Sequence, residues 1–127
     1  MKPDITSRED IKLIIIKFYD SLLSHEKMFP FFEEIVNQNE LEHHLEIIID
    51  FWEDLLFNTY KYKNNPMQKH LDFAKRIPFT KEHFNLWLYQ LTQTIDFYFE
   101  GENCSTMKTR ANSIATIMQI KMKLFDT

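Results

Sequence analysis

Five histidines and one cysteine bound the metal and nucleophile chemistry open to this chain. His70 follows Pro66 and Met67 and precedes Leu71. Pro66 is pre-shaped for a first helical turn, so a helix begun there sets the His70 imidazole beside apolar neighbours. His44 falls within a second apolar stripe, Leu41, His44, Leu45, Ile48, Phe51, Trp52 and Leu55, and His43 turns away from it. His83 precedes Phe84 and stands one turn before Trp87 and Leu88. A histidine among apolar side chains is costly unless a hydrogen bond or a metal uses its nitrogen. His44 and His70 lie on different helices with a loop between them, so they are not the i, i+4 pair of an HExxH metalloprotease. A compact zinc site needs a third or fourth ligand, and His25, His43 and His83 show no local pairing with these two.

Other chemistries fall away on residue type. Cys104 is the only cysteine, which rules out an internal disulfide and a thiolate cluster and fits a reducing compartment. There is no GxSxG, no P-loop and no GxGxxG, and a single glycine could not supply the last. Tyr19 stands on an inward helical stripe, where its hydroxyl needs either a buried partner or a route to the surface or a backbone carbonyl.

The elements that must carry these residues are helices. One glycine and four prolines leave little from which to build hairpin turns, and 44% hydrophobic residues argue against disorder. At 127 residues the chain is long enough for one domain, residues 1–127, with a real core. Ser7 and Asp10 resemble a capping box, and Ile11, Ile14, Ile15, Phe18, Tyr19, Leu22 and Leu23 predict a helix to about Ser24. Phe29, Pro30, Phe31 and Phe32 form a corner whose rings wedge between elements, as core or as the wall of a ligand site. Residues 37–39 read as a loop, and a helix runs from about Glu40 to Thr59. After the short helix begun by Pro66, Pro78 interrupts and Thr80 caps a helix over about 81–100, with Phe84, Trp87, Leu88, Leu91, Ile95 and Tyr98 inward. Gly101 ends that helix, and a last one spans about 105–124.

Net charge is −4, without the basic footprint of nucleic-acid binding. The polar N-terminus has no signal-like apolar region and no apolar run is long enough to cross a bilayer, so a cytoplasmic protein is expected. Twelve phenylalanines are many for so small a core, which hints at a flat, bulky guest. One metal site needs a single protein ligand because its cofactor brings four in-plane nitrogens: haem on one proximal histidine.

Taken together and in order, Phe18-Tyr19, the PFF at 30–32, His44 with Phe51-Trp52, PMxxH at 66–70 and HFxxWL at 83–88 resemble a group III truncated haemoglobin over nearly the whole chain. Other truncated haemoglobins use glycine-pair motifs at inter-helix bends, which this chain lacks. The resemblance implies an all-α, globin-like fold, a two-over-two helical sandwich around haem b, with His70 as the iron ligand. It implies Tyr19, His44 and Trp87 as distal residues that stabilise a ligand. Phe32, Ile48, Phe51, Trp52 and Phe84 would contact the haem beside Trp87 and His70. His83, in the HFxxWL pattern, competes with His70 for the iron, and Arg76, Lys75 or His83 are candidates for the propionates. The expected ligands are O2, NO or another diatomic molecule, with a reductase as partner and no nucleic acid or membrane. Two donors suit tight retention, with nitric oxide oxidation or weak peroxidase chemistry, rather than rapid delivery. The rival readings are a cofactor-free helical interaction domain and a haem-based gas sensor that needs a separate output partner.

Overall fold

The protein is described here from a computed structural model over residues 1–61 and 80–121. These residues form α1 (Arg8–Ser24), a 3-10 turn (Phe29–Phe31), α2 (Glu33–Asn37), α3 (Leu41–Phe57), α4 (Lys81–Tyr98) and α5 (Glu102–Lys121), with no strand among them. α1 packs on α3 and α4, and α5 packs on α4 and α3, giving two layers of two helices. Their shared core holds Ile11, Ile14, Ile15, Leu22, Ile49 and Leu91, each removed from water at roughly 1.5–3 kcal/mol of stabilisation per side chain.

Local chemistry sets most of the ends. Ser7 caps α1 by accepting from the Asp10 N–H, but the Asp10 carboxylate accepts from the Thr6 N–H and hydroxyl rather than from Ser7. The expected box is therefore only half made. Asn39 and Asn58 both take left-handed φ values of 57° and 58°, which asparagine tolerates, and they bracket α3 within two residues of its expected span. The Phe29–Phe32 corner is a 3-10 turn with Pro30 in its first turn. It leads into α2, which the sequence reading missed although Glu33 and Glu34 are well placed for a helix N-terminus.

Two departures come from long-range contacts. The last helix begins at Glu102, earlier than its periodicity predicts, because the Asp4 carboxylate accepts from the N–H groups of Asn103 (3.0 Å) and Cys104 (3.2 Å). Ile5 beside it is fully buried, and its carbonyl accepts from Asn103 Nδ2. Burial and the Asp4 carboxylate push the Cys104 thiol up to about 11, so it stays protonated and inert near neutrality. On α3, the fully covered residues are Ile49, Trp52 and Glu53, a face rotated from the expected stripe. Glu53 is drawn inside by Arg8, whose guanidinium also bonds Glu46 and Asp50, and by Lys61.

These ties make the fold sensitive to acid. Burial raises the Asp4 carboxyl, but the N–H groups of Asn103, Ile5 and Cys104 outweigh it and leave the group below its usual range. Glu53 behaves alike, with burial opposed by Lys61 and Arg8. Groups lowered on folding add stability above their unfolded values, about 3.9 and 4.3, and lose it as pH falls through the folded ones. Denaturant midpoints are thus expected to drop between pH 6 and pH 3. An Asp4→Asn, Glu53→Gln variant should show a shallower slope; an unchanged slope would remove both groups from the account.

Candidate functional site

The polar centre of the described structure is one hydrogen bond. The Tyr19 hydroxyl on α1 lies 2.9 Å from His44 Nε2 on α3. Tyr19 is 4% exposed, and burial pushes its hydroxyl above the ordinary phenol range, so it keeps its proton near neutrality. Either partner can donate, according to which ring nitrogen of His44 carries the hydrogen.

Aromatic rings surround this pair. Phe18 meets Tyr19 edge-on at 5.5 Å between centroids, Phe32 meets Tyr19 at 5.3 Å, and Phe32 is 6.4 Å from His44. Phe18 also meets Trp87 of α4 at 5.9 Å. The structure thus joins Tyr19, His44, Phe32 and Trp87 into one array, with Phe18 as the link that the reading of site residues passed over. Its signal was its place directly before Tyr19 on the inward stripe. Among the described residues none accepts a hydrogen bond from the Trp87 indole N–H.

The other candidates divide. Ile48 and Phe51 are half-buried on α3, together with Leu41, Leu45 and Leu55. Trp52 is 3% exposed and belongs to the main core, with Phe51 against its ring. Phe84 sits in a separate small cluster with Ala115 and Met118, and Trp87 borders both clusters. His70, Arg76 and Lys75 lie outside the described residues.

His83 has a structural task. Its Nδ1 accepts from the Thr80 N–H at 2.9 Å and Thr80 Oγ1 accepts from the His83 N–H, a capping box with histidine where glutamate is usual. Its ring also meets Phe31 edge-on at 4.7 Å. Its Nδ1 thus serves the start of α4.

Comparison with known proteins supplies the frame for this array. No family model matches the chain. The curated group 3 truncated hemoglobin ctb of Campylobacter jejuni is 26% identical over 121 residues, covering 94% of this chain and 93% of that one. The crystal structure of a group III truncated hemoglobin from Campylobacter jejuni superposes with a TM-score of 0.84 at 26% identity, over 95% of this chain and 94% of that chain. Over nearly its whole length the chain is similar to a group III truncated haemoglobin. Its fold is accordingly globin-like, with α1 and α3 bringing Tyr19 to His44 and α4 bringing Trp87 to Phe18. No described helix is long and apolar enough to cross a membrane.

Proposed function

We propose that this protein is a haem-b protein that holds O2, NO or another diatomic ligand beside Tyr19, His44 and Trp87. The truncated-haemoglobin relationship supports a globin-type haem-binding protein. The observation that carries the finer reading is the Tyr19–His44 hydrogen bond set within a wall of Phe18, Phe32 and Trp87. The residues fit a flat apolar guest: the stripe of Leu41, Leu45, Ile48, Phe51 and Leu55 is left only half covered, next to the ring wall. Phe32, Ile48, Phe51, Trp52, Phe84 and Trp87 would contact it, and His70 would supply the single protein bond to iron. When bound, haem supplies an iron that takes a diatomic ligand and changes oxidation state, with electrons from a separate reductase.

The chain's own residues govern how long a ligand stays. Tyr19 O–H and Trp87 N–H are donors suited to a small ligand whose outer atom bears partial negative charge. The proton between Tyr19 and His44 decides whether the first is available. With hydrogen on His44 Nε2, the Tyr19 oxygen accepts and its O–H is released toward the ligand; with Nε2 bare, Tyr19 donates to His44 instead. His44 thereby serves as an acid–base partner at the Tyr19 oxygen, the role that O–O cleavage in peroxide chemistry needs. Such retention suits chemistry on a held ligand better than rapid delivery.

Two measurements test this. Absorption spectra of the ferric, ferrous and carbonyl forms should show intense Soret bands; a folded protein that stays colourless with excess haemin overturns the assignment in favour of a cofactor-free helical domain. Tyr19→Phe and Trp87→Phe should each speed oxygen release about fivefold to thirtyfold, the equivalent of roughly 1–2 kcal/mol per donor in a dry site. Release unchanged in both variants defeats the donor model.

A further inference from the structure

The Tyr19–His44 bond exists only if α3 is held at one roll about its own axis, and apolar packing alone sets that roll weakly because it has no direction. On α3, Glu46, Asp50 and Glu53 follow spacings of four and three and so share one flank. At about 100° per residue, that flank lies roughly 200° round the helix from His44, and the buried face of Ile49 and Trp52 falls between them. On α1, Arg8 and Tyr19 are eleven residues apart, which returns them to within about 20° of the same face, some three turns from each other. One face of α1 therefore grips α3 on both sides of its buried stripe. Tyr19 holds the His44 flank at 2.9 Å. Arg8 holds the other, with Nη1 at 2.8 Å from Asp50 and 2.7 Å from Glu53 and Nη2 at 2.8 Å from Glu46.

We propose that Arg8 is a positioning residue, which fixes the roll of α3 so that His44 meets the Tyr19 hydroxyl. Only arginine's rigid fork reaches three carboxylates on successive turns at once. Without it, Glu53, whose side chain is 9% exposed, keeps Lys61 alone, and three like charges crowd one flank. Turning that flank toward water carries His44 off the hydroxyl. The inference rests on the proposed function only in taking this pair as the one that faces a ligand.

The test is made on the full-length protein with ¹⁵N-labelled histidine, as the ferrous carbonyl form. In Arg8→Met, the His44 ring nitrogens are expected to shift toward the values of an imidazole without a fixed partner, and oxygen release should quicken about threefold to tenfold. Arg8→Lys, which keeps charge but not the fork, should fall between Arg8→Met and the parent. Should Arg8→Met fail to fold, Arg8→Lys and the peripheral Glu46→Gln carry the same measurement. Variants that melt earlier but leave the His44 resonances and the release rate unmoved would reduce Arg8 to a stabilising residue and overturn the proposal. If the protein proves colourless, the haem reading fails by itself, and the His44 resonances recorded on that colourless protein still decide the role of Arg8.

Discussion

The His70→Ala variant is expected to lose the Soret band on purification, or to surrender haemin to an acceptor at least a hundredfold faster than the parent. The expectation follows from the PMxxH motif and from how the structure engages three of the other histidines. His25 Nδ1 accepts from the Lys27 N–H. His43 is exposed on α3. His44 Nε2 is bonded to Tyr19, and His83 Nδ1 to the Thr80 N–H that starts α4. The histidine of the PMxxH motif lies outside the described residues and is the one that the resemblance assigns to the iron. One iron–nitrogen bond is the whole of the protein's covalent hold on a haem of this type. Adding imidazole to His70→Ala should restore part of the band. Were the band to survive His70→Ala and vanish instead in His44→Leu, the two faces of the site would have to be exchanged.

The second large effect is on stability and concerns the single glycine. Gly101 joins α4 to α5 with φ +144°, a conformation that other residues rarely adopt. A Cβ there would stand 2.5 Å from the Asp4 Cγ and 2.8 Å from its Oδ2, closer than such atoms approach. Asp4 cannot simply withdraw, because its carboxylate caps α5 and its neighbour Ile5 is fully buried. Gly101→Ala therefore combines backbone strain with loss of the cap and is expected to cost about 2–4 kcal/mol, lowering the melting temperature by roughly 10 °C. The cost should not add to that of Asp4→Ala, since both break one contact. A double-mutant cycle that is additive, or a Gly101→Ala protein as stable as the parent, contradicts this account of the corner.

Much of the architecture was legible from local rules. Helix periodicity, the loop at 37–39 before α3, Thr80 and Gly101 announce element ends through interactions that span a few residues. The ordered run of Tyr19, PFF, His44 and HFxxWL likewise marks a relationship that the group III truncated haemoglobin structure upholds. What spacing could not reveal is what a side chain meets across the fold. Tyr19 had either a buried partner or an exposed tip, and only the packing of α1 on α3 supplies His44. His83 was open to an iron or a propionate, and the fold shows that its Nδ1 accepts from the Thr80 N–H at the start of α4.

By itself, then, the sequence determined the spans of α1, α3 and α4 and which few residues could serve chemistry, because those depend on backbone preference and on periods of three and four residues. The tertiary structure alone decided the roll of α3, the early start of α5 and the joining of Tyr19 to His44. Each rests on charged or hydrogen-bonding groups between 25 and 100 residues apart in sequence, Tyr19 with His44, Arg8 with Glu53 and Asp4 with Cys104. Such partners meet only after hydrophobic burial has brought distant segments together, and no local pattern in the chain encodes the meeting.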